Sequence, residues 1–239
     1  MTPLEHLIIV ACHAVYLDGD DVPPDDDRHW SLRSFQRGEP PYYLEHARTG
    51  VELAARDPGA LLVFSGGRTH RQAGPRSEAE GYLALARDLG WWSHPAVAAR
   101  TTTEELARDS FENVLFGICR FREHQGRYPQ TLALVSWAFK QQRFELHRAA
   151  LRWPADRYAF HGPNQPLELP AAVAGEQHTR AAFQSDPYGA GAALSQKRRE
   201  RDPFSQTNRY PTTCPELAAL LGHGGPALYR GPLPWSAPG

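Results

Sequence analysis

Apolar positions along this chain gather into short continuous runs, separated by longer stretches where they recur every three or four residues. Leu7–Cys12, Leu61–Phe64 and Thr131–Ser136 are runs of the first kind, short enough for strands covered on both faces, and Tyr158–Phe160 reads as a fourth. Between them the spacing is helical. Pro41 suits a first helical turn, Leu44, Ala47, Val51 and Ala54 continue it, and Asp57-Pro58-Gly59 ends it. Ser77-Glu78-Ala79-Glu80 has the form of a capping box and opens a helix bearing Tyr82, Leu85, Ala86 and Leu89, closed by Gly90. Asp109-Ser110-Phe111-Glu112 starts another, through Val114, Leu115, Ile118, Cys119 and Phe121 to Gly126. A further helix runs from about Lys140 to Trp153 and stops at Pro154. Strands alternating with helices predict a mainly parallel sheet with right-handed crossovers, a Rossmann-like three-layer α/β/α sandwich.

Two segments break the pattern. Asp18 to Pro41 is polar, acidic and proline-containing, which predicts a surface excursion. From Pro163 onward Pro, Gly and Ala become frequent and strand patterns vanish. The expected division is therefore a Rossmann-like unit over residues 1–162 and a C-terminal irregular and helical extension over 163–239, packed on the core. A helix is expected at Gly175–Ser185, and an extended or partly disordered tail from Gly222.

Composition narrows the function classes. At 239 residues with a formal net charge of -1, the chain gives no global electrostatic case for nucleic acid or an anionic membrane. Its longest apolar runs are too short to span a bilayer, and its first residues lack the pattern of a signal peptide. Cys12, Cys119 and Cys214 form no CxxC motif, so a reducing interior is expected, cytoplasmic or nuclear.

The candidate chemistry lies where strands end. Ser65-Gly66-Gly67 follows the second strand, and its two amides and hydroxyl, helped by Arg68, form a possible cradle for a phosphate or carboxylate; a tight structural turn explains it equally well. Ser136 ends the third strand and mirrors Ser65. Lys140 and Arg143 follow three residues apart near a helix start, where two cations repel each other and oppose the helix dipole. An anion would reverse that penalty. Asp109, Ser110 and Asn113 share the first turn of an otherwise apolar helix, with Glu104 just upstream; plain capping accounts for such a cluster more readily than a ligand, water or metal site. His13 follows the first strand and His161 the fourth. Asp18-Gly19-Asp20-Asp21-Val22-Pro23 resembles a calcium loop only superficially, since Pro23 and His29 stand where glycine and glutamate are required. No HExxH or HxxxH spacing supports zinc. The basic stretch Lys197–Arg201 would suit phosphate or RNA, but one short basic run is usually a solvated helix face.

At these residues the chain resembles the YdcF/SanA/ElyC-like family, a domain of largely unknown function, and especially its fungal branch. The matching blocks are the first strand, Phe64-Ser65-Gly66-Gly67, Ser77-Glu78, Glu104 with Asp109-Ser110 and Asn113, and Val135-Ser136 with Phe139-Lys140 and Arg143, in order over about Leu7–Gly162. Asp186-Pro187-Tyr188-Gly189 and Lys197–Phe204 look like the extension of fungal relatives. The resemblance implies a Rossmann-like fold with these blocks around one cleft. In the family, bacterial relatives are linked to envelope maintenance and adenosylmethionine binding has been described. Many bacterial members have histidine where Lys140 stands, which bears on any acid–base role there, since lysine is ordinarily charged at neutral pH.

The leading expectation is an enzyme acting on a small phosphorylated or nucleotide-like metabolite by hydrolysis. Ser65, Gly66, Gly67 and Arg143 would hold the anion and Lys140 offset charge; His13, Ser110 and Ser136 would line the ligand. Glu78, Glu104 or Asp109 would act as general base or hold a divalent cation, while Asn113 positions the reacting group. The alternatives are an adenosylmethionine- or nucleotide-binding or methyl-transfer protein, and a noncatalytic interaction protein. The usual methyltransferase glycine loop is replaced by Cys12-His13-Ala14-Val15.

Overall fold

The computed structural model describes residues 3–17, 19 and 22–236. The aspartates of the acidic run, Asp18, Asp20 and Asp21, lie outside the described residues. The strands are β1 (His6–Ala11), β2 (Val15–Tyr16), β3 (Trp30–Ser31), β4 (Ala60–Ser65), β5 (Thr101–Glu104), β6 (Thr131–Val135) and β7 (Tyr158–His161). Five of them form a parallel sheet in the order β5-β4-β1-β6-β7, while β2 and β3 pair antiparallel. The principal helices are α1 (Pro40–Arg56), α2 (Glu78–Asp88), α3 (Ser110–Gln125), α4 (Gln141–Ala150), α5 (Leu169–Ser185) and α6 (Ala192–Glu200), followed by the short α7 (Tyr210–Thr213).

Strand alternation divides the core in two. Leu7, Ile9 and Ala11 of β1, with Leu61 and Val63 of β4, pack on one face with Val114 and Ile118 of α3 and Phe144 of α4. Ile8 and Val10, with Leu62 and Phe64, pack on the other with Val51 of α1 and Tyr82 and Leu85 of α2. This period of two, with helices on both faces, is the Rossmann-like sandwich. The chain leaves β1 toward β4 and β5 on one side, then returns to place β6 and β7 on the other. The order thus reverses between β1 and β6, where a parallel sheet opens a crevice at its carboxyl edge.

Local signals formed the predicted elements. Ser77 and Glu80 exchange both capping-box bonds at α2, at 2.9 and 2.7 Å. Asp109 caps α3 by accepting from the Glu112 amide at 2.9 Å, and Gly126 ends that helix with φ 72°. Three expectations need correction. The four-strand sheet gains a fifth at its edge, β5, whose threonines are half-buried and carry no apolar run. The Asp18–Pro41 excursion returns to the core, because Trp30 inserts among Tyr16, Tyr43 and Tyr82. The described part of the tail is irregular but held: Leu233 and Trp235 are buried, and the Trp235 indole donates to the Leu151 carbonyl at 2.8 Å.

Phe183 of α5, Leu194 of α6, Tyr210 of α7, Cys214 and Leu217 belong to the same apolar cluster as β1 and α3. All three cysteines are free and buried. No described helix is long and apolar enough to cross a membrane.

Candidate functional site

A cavity of about 580 Å³ opens at the carboxyl edge of the sheet. His13 and Ser136, which follow β1 and β6 on the two sides of the reversal in strand order, both line it. Of the residues predicted from sequence, Glu78, Asp109, Ser110, Asn113, Lys140 and Arg143 line it as well. Ser65, Gly66, Gly67 and Glu104 do not.

The reason is local bonding. The Gly66 amide donates to the Glu104 carbonyl at 3.0 Å, and the Gly67 amide to the Ala107 carbonyl at 2.7 Å. Their carbonyls accept from the amides of Ala79 and Glu78. The expected anion cradle is therefore already filled by the chain itself, and Arg68 turns to Glu105 at 2.9 Å. Glycine is needed here for close approach: a Cβ on Gly66 would stand 2.8 Å from Glu78, and one on Gly67 2.6 Å from the Ala107 oxygen. Ser65 Oγ lies 2.9 Å from Glu104 and 3.1 Å from Asn113 Oδ1, so its hydroxyl is satisfied inside the protein. Glu104 accepts from the Leu106 and Ala107 amides and from Tyr210 at 3.0 Å. It is a buried brace holding the β5–α3 turn and α7 together. Asp109 is likewise engaged, by its cap and by Arg198 at 2.7 Å. Burial pushes its carboxyl up, but Arg198 outweighs this and holds it below the ordinary carboxylate value. It is a weak base for that reason.

Other groups remain open toward the cavity. Glu78 accepts from Thr69 through Oε1, and its Oε2 has no partner among the described residues. Burial pushes its pKa up to about 7. Ser136 is fully buried and its Oγ has no partner among the described residues. His13 sits against Tyr43, His46 and Trp137 with Nε2 unpartnered; burial first, then Lys140, holds it neutral. Asn113 gives its oxygen to Ser65, which leaves the amide NH2 of this cavity-lining residue without a described partner. Burial and then Arg143 bring Lys140 down to about 7, so the expectation that lysine stays fully charged here is corrected. Arg143 is ion-paired with Glu176 of α5 at 3.0 Å and keeps an unpartnered Nε.

Arg33, Glu39 and Glu176 carry no sequence signal, yet border the cavity, and Lys197 and Arg201 of the basic run border it too. The basic run is therefore not a solvated face: Lys197 and Arg201 turn inward and Arg198 joins Asp109. His147, on α4, stands 2.8 Å from Ser110 Oγ; its ring is fully buried, and burial lowers its pKa to about 3. His161 lies in β7 and is not among the lining residues.

A divalent cation fits poorly, since among the described residues no group of three or more His, Cys, Asp or Glu is arranged to hold a metal ion. Carboxylates, Glu39, Glu78 and Glu168 among them, border the cavity together with the cations Arg33, Lys140, Arg143, Lys197 and Arg201, so an anion and a sulfonium would each meet opposite charge there.

With this geometry in hand, comparison with known proteins adds one relative and little chemistry. The chain is 25% identical, over an alignment of 260 positions, to the uncharacterized protein YOR238W of Saccharomyces cerevisiae. The alignment covers 85% of this chain and 86% of the yeast protein, so the similarity reaches past Gly162 into the C-terminal segment. No family model matches the chain, and no solved structure does.

Proposed function

We propose that the protein is a hydrolase of a small phosphorylated, nucleotide-like metabolite, bound at the carboxyl edge of the sheet between β1 and β6. The observation that carries this reading is the meeting in one cavity of a carboxylate with a free oxygen, Glu78, and the cations Lys140 and Arg143. Arg143 and Lys140 would hold the phosphoryl oxygens, with the Ser136 hydroxyl and the Asn113 amide as neutral donors. Glu78, near pKa 7, suits a general base at neutral pH. In the step proposed, the oxygen of water attacks phosphorus and the bond from phosphorus to the leaving oxygen breaks. Glu78 takes the water proton, and the Lys140 ammonium supplies one to the leaving oxygen. Solvent then resets both groups. The reading also takes the chain as YdcF-like, on the sequence blocks around the cleft.

A screen of phosphomonoesters and nucleotides, with and without Mg²⁺, tests the activity. Turnover that falls by about 10²–10⁴ in Glu78→Gln supports it. Absence of turnover on every phosphoester, or an unimpaired Glu78→Gln, overturns it.

A further inference from the structure

Helix α6 brings a second set of cations to the cleft. Leu194, Lys197 and Arg201 recur at the spacing of one helical face, and all three line the cavity. The helix is fixed in that orientation by Arg198, bonded to Asp109 at 2.7 Å and to Glu112 at 3.3 Å, and by Arg108, 3.5 Å from Asp202. Cations in the last turn of a helix serve the helix dipole equally well when they face water. These two face inward instead.

Carboxylates line the same space, but few of them pair directly with these cations. Arg143 has Glu176, whereas Arg33, Lys140, Lys197 and Arg201 form no ion pair with any described carboxylate. Arg201 donates once, to the Arg108 carbonyl at 3.0 Å, which leaves most of its guanidinium free. The fully buried Ser136 hydroxyl and the Arg143 Nε also lack partners beside the same space. Lys140 with Arg143 at the start of α4, and Lys197 with Arg201 at the end of α6, thus bring two separate pairs of basic groups to one cavity, as many as the phosphoryl groups of a diphosphate.

Resting on the reading of the cleft as a phosphoryl site, we propose that Lys197 and Arg201 form a second anion subsite beside that of Lys140 and Arg143, and that the ligand is a diphosphate ester. The C-terminal extension is then part of the binding site, and it selects diphosphates over monophosphates.

Calorimetric titration of the full chain with pyrophosphate and with inorganic phosphate tests this. The wild type is expected to bind pyrophosphate at least about tenfold more tightly than phosphate. K197Q/R201Q should lose that preference and keep its phosphate affinity within about threefold, while R199Q, on the same helix but outside the cavity, should match wild type. Should the double variant unfold, K197Q alone is read against the same two ligands. Equal loss for both ligands, no loss for either, or no preference in the wild type overturns the proposal. Hydrolysis and its dependence on Glu78 are read separately, so a failed second subsite leaves that result standing.

Discussion

Glu104 closes the edge strand β5 and Glu78 opens helix α2, and burial pushes the carboxyl of each up to about 7. On that property alone the two are equivalent. Their bonding separates them. Glu104 receives donors from Ser65, Leu106, Ala107 and Tyr210 and borders no part of the cavity, whereas Glu78 lines the cavity and has one bonded oxygen and one without a partner among the described residues. A shifted pKa therefore marks a desolvated group, and only open bonding capacity in a reachable space marks a chemical one. The distinction extends to the strand ends: the β4 end is sealed by its own chain, and the β6 end is not.

Substitution should split the pair most sharply. Glu104→Ala leaves two amides and the Tyr210 hydroxyl without their acceptor and takes one of two from Ser65, and should lower unfolding free energy by about 3–5 kcal/mol. Glu78→Gln keeps an oxygen for Thr69 and removes a carboxyl that burial makes costly to ionise, so it should lose no stability at neutral pH, while abolishing most turnover. Chemical denaturation of both variants reads this directly. If Glu104→Ala proves as stable as wild type, the bracing role is wrong; if Glu78→Gln unfolds instead, the two assignments are reversed.

How far the sequence foretold this follows from what each segment touches. Strands β1, β4 and β6 are covered on both faces, so their apolar runs stand out. Strand β5 lies at the sheet edge with half-buried threonines, and only its β-branched composition hinted at it. Ser136, Lys140 and Arg143 were legible because a strand end and the following helix place them together. Glu176 and His147 were not, since they arrive from α5 and α4 through tertiary packing. The inward turn of Lys197 and Arg201 had a signal, the helical spacing they share with Leu194, but a basic run near a polar tail reads as solvated until a partner surface is known.

Titration sharpens the comparison at smaller amplitude. Glu78 carries a pKa of about 7 when folded against an ordinary 4.5. Between those values the folded state holds the proton that the unfolded state has released, so stability falls as pH rises through that window and is flat above it. Glu78→Gln removes the effect, and should therefore gain on wild type by about 1–3 kcal/mol between pH 4.5 and 7. The buried histidines slope the other way. His46 and His147, both brought to about 3 by burial, are neutral when folded and protonate first in the unfolded chain below 6.5, so their contribution is lost as pH falls from there. Denaturation midpoints across pH 4.5–8 should show the variant difference growing upward; a constant difference would mean that Glu78 is ionised throughout.

The mirrored serines give the finest test. Ser65 and Ser136 end adjacent flanks of the same strand, β1, and both are fully buried, yet Ser65 is bonded to Glu104 and Asn113 while Ser136 Oγ has no partner. Ser65→Ala breaks a buried network with a charged acceptor and should cost about 1–2 kcal/mol. Ser136→Ala removes a hydroxyl that gains nothing inside the apo protein, so it should be neutral within about 0.5 kcal/mol or slightly stabilising. The order reverses for ligand binding, where Ser136 faces the cavity and Ser65 acts only through Asn113. Thermal melts with and without pyrophosphate compare both at once: the ligand should raise the Ser65→Ala midpoint as much as that of wild type, and the Ser136→Ala midpoint less. Equal shifts in the two variants would mean that the β6 end is as closed to ligand as the β4 end.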